Sequence, residues 1–131
     1  IDAIALVHKN GILKELLLSE NIKLIEAKNL PIWEDKKSAF LNFMQLFLIT
    51  PSIIFKLKSL NIDLVHINDG RIKNSWSIAT KVLNKKLIVH QRTIFDKSRL
   101  SYLLYYLPNH IISISDFVKE SMPKSFYKKI R

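Results

Sequence analysis

The sequence has no cysteine, two glycines and four prolines, and its acidic residues are scarce, 11 Asp and Glu against 21 Lys and Arg. Without cysteine there are no disulfides and no thiolate metal sites, which fits a reducing compartment. Gly11 and Gly70 are too few for a Gly-rich phosphate loop, so a self-contained dinucleotide fingerprint or P-loop is excluded. A Gly-x-Ser-x-Gly elbow is absent, and the four His are scattered without helical metal-ligand spacing. The opening apolar stretch lacks a basic lead and a small-residue cleavage site, so no secretory signal is expected. The most apolar stretch, Phe40 to Phe55, falls short of the roughly 20 residues of a membrane span and carries Asn42, Gln45 and Pro51. A helix packed on a sheet is expected there. The alternative is a helix lying partly in a membrane interface, because Phe43, Phe47 and Phe55 sit beside Lys56 and Lys58.

What is present is one domain's worth of chain, 131 residues, since ordinary domains run to about 100–150 residues. It starts at Ile1 inside a strand-like run, and the reading expects a piece of something longer. Residues 1 to 66 are nearly neutral, at +1, whereas residues 67 to 131 carry +9. A basic half of this kind suits an anionic partner: phosphate, nucleic acid or an acidic membrane face. Apolar runs at 4–7, 22–27, 62–67, 86–90 and 110–115 alternate with helical patterns, Asn21 and Asn61 reading as helix stops and Thr50-Pro51 as a break or kink within the apolar helix. The pattern predicts an α/β fold, a doubly wound parallel sheet of the Rossmann-like kind, with residues 1–131 as a single domain. The closing segment 126–131 reads as a basic tail with two aromatics, Phe126 and Tyr127.

In such sheets ligands bind beyond the carboxyl ends of the strands. The candidates are therefore Asn68, Asp69 and Arg71 after one strand, His90, Gln91 and Arg92 after the next, and Ser115 after the third. If the first two strands are neighbours, Asp69 and His90 face one crevice, where a carboxylate can orient an imidazole for proton transfer. Arg71 and Arg92 could hold a phosphate there by paired hydrogen bonds. Ser115-Asp116 either binds an anion at a helix start or only caps that helix. His66 and His110 read as strand residues, and Glu26 and Glu34 as solvated surface charges.

Three stretches resemble the N-terminal domain of GT-B glycosyltransferases of the large retaining family 4 type. Ile62-Asp63-Leu64-Val65-His66-Ile67-Asn68 is similar to the family's "pDvVHah" strand, Leu87-Ile88-Val89-His90 to its "ivvtvH" strand, and Ile111 to Val118 to "iiavSefv". The resemblance implies an acceptor-binding half of a sugar transferase that works without a bound metal or other cofactor. His90 then lines the cleft near the transferred sugar, and Ser115 is the next cleft-facing polar residue. By that resemblance the enzyme is a hexosyltransferase using a nucleotide-sugar donor and a lipid-linked or polysaccharide acceptor in bacterial cell-envelope glycan synthesis. It is then cytoplasmic and not a nucleic-acid binder, and the basic surplus with the apolar 39–60 segment fits peripheral contact with an anionic membrane at its inner face. The family's first strand with its Gly-rich loop and its C-terminal donor-binding domain have no counterpart here, so the fragment alone is expected to be inactive. The alternative from another class is a stand-alone basic α/β module binding nucleic acid or another polyanion.

Overall fold

Asparagine does the work that glycine does in most folds of this class. A computed structural model describes residues 2–7, 11–27, 39–68 and 70–131, with their side chains except those at 39, 42, 71 and 101. Within it Asn21, Asn61 and Asn84 are the non-glycine residues with positive φ, at 54°, 49° and 52°. Each follows a helix: α1 (Ile12–Ser19), α2 (Ala39–Ser59) and α3 (Gly70–Val82). Asparagine tolerates the left-handed conformation that closes a helix C-terminus. After α3, Asn84 N–H donates to the Lys81 carbonyl at 2.9 Å and Lys85 N–H to the Thr80 carbonyl at 3.0 Å, the paired bonds of a Schellman motif. Each cap turns the chain into the next strand.

The strands are β1 (Ile4–Val7), β2 (Lys23–Glu26), β3 (Leu64–Ile67), β4 (Lys86–Gln91) and β5 (His110–Ser113). Among the described residues all pairings are parallel, β1 with β2, and β3-β4-β5 in that order. The chain divides into two compact units, Ile1–Ile32 and Trp33–Arg131. In the first unit, β1 and β2 are joined through α1, and Lys14 on the helix pairs with Glu26 at the end of β2. Glu26 is thus a partnered charge rather than a merely solvated one. Glu34 lies outside the described residues.

In the second unit α2 runs through Pro51 as one helix, so of the break or kink that the sequence predicts there, the break does not occur. Pro51 sits on the exposed side of the helix, so the carbonyl one turn back that it cannot serve faces outward. The Thr50 hydroxyl bonds the Leu46 carbonyl at 2.7 Å beside it. Leu46, Ile49, Ile53 and Leu57 form the buried stripe of α2, which packs on α3. Trp76, Ala79 and Thr80 of α3 are buried on one stripe, and Val82, which falls off that stripe at 3.6 residues per turn, is 64% exposed. Leu87 and Val89 of β4 and Ile111 of β5 are fully covered on the same side of the sheet.

The chain closes with α4 (Arg99–Leu104), α5 (Asp116–Ser121) and a 3-10 helix (Lys124–Lys129). Far from being a solvated tail, this end is core: Phe126 is 0% exposed and clusters with Phe95, Tyr105, Ile111, Met122 and Ile130. Ile130 bridges Ile111 in parallel, and Arg131 N–H donates to the Ile111 carbonyl at 2.9 Å, which covers the outer edge of β5. Aromatic rings supply large apolar area per residue. A tail carrying Phe, Tyr and Ile therefore docks despite its lysines.

Candidate functional site

The carboxyl ends of β3, β4 and β5 lie side by side, since Ile67 is in register with Val89 and Gln91 with Ser113. The sequence condition for a shared crevice, adjacency of β3 and β4, is met. Side chains alternate across the sheet, and so consecutive candidates at the end of β4 part company. His90 points to one face and Gln91 to the other.

On the His90 face the imidazole is half-buried and lies beside His66, ring centroids 6.1 Å apart and 26° from parallel. His66 is in register with Ile88, so His90 is its diagonal neighbour. Asn68 and Arg92 are exposed just past the ends of their strands. Asp69 and the side chain of Arg71 lie outside the described residues. Ser115 is exposed and its hydroxyl accepts the Val118 N–H at 3.3 Å, the cap of α5.

On the opposite face Gln91 is buried and engaged by the fold. Its Nε2 donates to the Thr93 carbonyl at 2.7 Å, and its Oε1 accepts the Tyr105 hydroxyl. Above the Tyr105 ring, 3.8 Å from its centroid, lies the ammonium of Lys73, a residue only 8% exposed. Burial lowers the Lys73 amine to about 8 against the opposing pull of the Asp96 carboxylate. Burial, with Asp96 adding to it, pushes the Tyr105 phenol well above its usual range. Phe95 packs edge-on to Tyr105 at 4.9 Å, and its N–H is held by Ser121 Oγ at 3.0 Å. The loop after β4, which carries Arg92, is therefore pinned at Thr93 and Phe95.

Lys73 and Tyr105 are absent from the sequence candidates. One signal pointed to the lysine: the apolar stripe Trp76–Thr80, continued one turn back, lands on position 73. Nothing local marks Tyr105 as its partner. Deeper in α3, Asn74 Oδ1 and Ser77 Oγ are buried without hydrogen-bond partners. Among the described residues no group of three or more His, Cys, Asp and Glu could hold a metal.

This arrangement offers an imidazole and a guanidinium at one strand end, fixed by a backbone that the buried side anchors. An imidazole so placed can exchange a proton or hydrogen bond with a hydroxyl, and Arg92 can pair with a phosphate or carboxylate.

No family model and no curated protein matches the chain. Solved structures do. MurG of Acinetobacter baumannii matches with a TM-score of 0.60 and 18% identity over 96% of this chain and 34% of that one. Anabaena HepE, solved in complex with UDP, matches with a TM-score of 0.64 and 13% identity over 98% and 35%. The UDP-N-acetylglucosamine 2-epimerase of Methanocaldococcus jannaschii matches with 0.56 and 11% over 98% and 36%. The chain thus spans about a third of the length of these proteins. At such identities the likeness shows the fold: one Rossmann-like half of a GT-B-type structure.

Proposed function

We propose that the chain is the acceptor-side half of a hexosyltransferase-type glycosyltransferase, moving a sugar from a nucleotide-sugar donor to a lipid-linked or polysaccharide acceptor in bacterial cell-envelope glycan synthesis. The observation that carries the reading is the end of β4, where His90 and Arg92 emerge beside β3 in a backbone that follows one half of GT-B enzymes. His90 meets a hydroxyl near the transferred sugar. Arg92, with Arg71, takes the phosphate of a donor or lipid carrier, and Asn68, Asp69 and Ser115 complete the binding edge. Gln91 contributes by holding the loop, through Thr93.

The exposed side of α2 supports work at an anionic membrane face. Phe47 and Phe55 are 73% and 77% exposed, Phe40 and Leu48 lie on the same side, and Lys56 and Lys58 close the helix with no acid along it. That combination suits an interfacial helix. No helix among the described residues is long and apolar enough to cross a membrane. The nucleic-acid alternative is weakened by Phe126, whose ring is buried and unavailable for stacking on bases.

In the polypeptide expressed from the gene, His90→Ala is expected to lower sugar transfer about tenfold or more, the low side for a positioned proton-transfer group. Unchanged turnover removes His90 from the mechanism. The likeness to a UDP-N-acetylglucosamine 2-epimerase favours one other reading, inversion at C2 of that nucleotide sugar. Incubation with UDP-N-acetylglucosamine and no acceptor separates the two, since only the epimerase reading predicts a C2-inverted product.

A further inference from the structure

Arg92 is exposed, and an exposed arginine keeps its direction only where its backbone is held. The backbone on both sides of it is held through Gln91. The Gln91 carbonyl accepts the Ile114 N–H at 3.2 Å, which ties the chain before Arg92 to the end of β5, and the Gln91 side chain donates to the Thr93 carbonyl at 2.7 Å. An amide has one acceptor end and one donor end. The Thr93 carbonyl can only accept, so the Gln91 nitrogen must face it and the Gln91 oxygen must face away. The group that meets that oxygen is the Tyr105 hydroxyl, which must then be the donor. Lys73 lies over the ring face of Tyr105 and leaves the hydroxyl to Gln91, while burial, with Asp96 adding to it, keeps the phenol protonated well past the ordinary tyrosine range.

We propose that Tyr105 is a positioning residue for Arg92 and, given the sugar-site reading on which this rests, for the phosphate that Arg92 takes: its hydroxyl selects the Gln91 amide orientation that holds the turn at Thr93. Tyr105 is 1% exposed, so its effect reaches a ligand only through the loop. The bond also closes that loop on itself, since Tyr105 follows Gln91 by 14 residues, just past the end of α4. The ring packs against Phe95 at 4.9 Å and Phe126 at 5.9 Å, contacts that do not involve the oxygen. The core therefore needs a ring at position 105, and the loop needs its hydroxyl.

Trypsin tests this in the polypeptide expressed from the gene, because it cuts after arginine and the Arg92–Thr93 bond lies in the held turn. Cleavage of a native protein tracks how often the segment opens. Tyr105→Phe keeps the ring and leaves the Gln91 oxygen without its donor, so cleavage after Arg92 is expected to rise about tenfold, the factor that one buried hydrogen bond of ordinary strength contributes. Cleavage after Lys86 in β4 and Lys119 in α5 should stay as in the parent protein, which a general loss of stability could not give. Gln91→Met opens the same turn, and adding Tyr105→Phe to it should change nothing further, since the hydroxyl acts through the amide. The proposal is overturned if Arg92 stays protected, if all three sites rise together, or if the two substitutions add. Sugar transfer by the Tyr105→Phe protein separates the two premises: a freed turn with unaltered transfer removes Arg92 from the sugar site and leaves the role of Tyr105 intact.

Discussion

Lys73 sits in an environment unusual for its type. Lysine is almost never fully buried without a partner, because removing an ammonium from water is costly. Here the Tyr105 ring faces it at 3.8 Å, a cation–π contact that offsets part of that cost. The amine's native value of about 8, against an ordinary 10.5, has a signed consequence. Below about 8 the lysine is charged in both folded and unfolded chains, and the full desolvation penalty acts. Above it the folded state sheds the proton while the unfolded state keeps it, so the unfolded chain binds more protons and stability rises with pH. The rise ends near pH 10, where Tyr105 begins to ionise in the unfolded chain but not in the fold. Urea unfolding is therefore expected to show a gain on the order of 1–2 kcal/mol between pH 8 and 9.5. Lys73→Met should remove most of that gain, the burial-lowered Lys129 amine leaving a smaller rise of the same sign. An unaltered slope in the variant would assign the effect elsewhere. The same residue marks a limit of the sequence: the stripe of α3 reaches position 73, but nothing local names the ring 32 positions away that lies under its ammonium.

Among the elements, strand positions and helix stops were legible, since apolar runs and asparagines are local signals. Asn84 tests how much a cap contributes. Its φ of 52° suits glycine better than any other residue. Asn84→Gly is expected to hold or slightly raise thermal stability, and Asn84→Ala to lower it by about 1 kcal/mol, the cost of a Cβ in the left-handed region without asparagine's tolerance. Equal effects of the two substitutions would mean that the backbone there is not decided by φ. Element ends followed less readily. Proline at 51 predicts a break or a kink, and no break occurs, because the buried stripe of α2 on α3 outweighs one missing bond on the outer side. The Asn109 side chain, which accepts from Leu87 N–H at 2.9 Å and Lys81 Nζ at 3.0 Å, ties β4 to the helix before it through a residue outside the sequence candidates.

For the whole molecule the informative quantities are net charge, +10, and the aromatic side of α2. Each Lys or Arg near an anionic bilayer contributes about 1 kcal/mol, and interfacial aromatics add burial of apolar surface. The protein is expected to float with vesicles containing phosphatidylglycerol and to stay behind with pure phosphatidylcholine at moderate salt. Phe47→Glu combined with Phe55→Glu should abolish flotation without changing the circular dichroism, since both side chains are exposed. Flotation indifferent to lipid charge would remove the anionic surface as a partner. At this scale the fold class was readable beforehand, and so was the gathering of polar residues at strand ends. The two faces of the candidate site were not, because adjacency of β3 and β4 and the register between them depend on pairing over about twenty residues of intervening chain.

By itself the sequence determined the alternation of strands and helices, the asparagine stops and the strand-end positions of His90, Arg92 and Ser115. Hydrophobic period and backbone preference act within a few residues and need no tertiary partner. Only the tertiary structure decided that His90 and Gln91 serve opposite faces, that Lys73 is buried against Tyr105, and that Phe126 is core. Those outcomes depend on which distant groups arrive beside each side chain, and burial is a property of the assembled surfaces rather than of any residue in it.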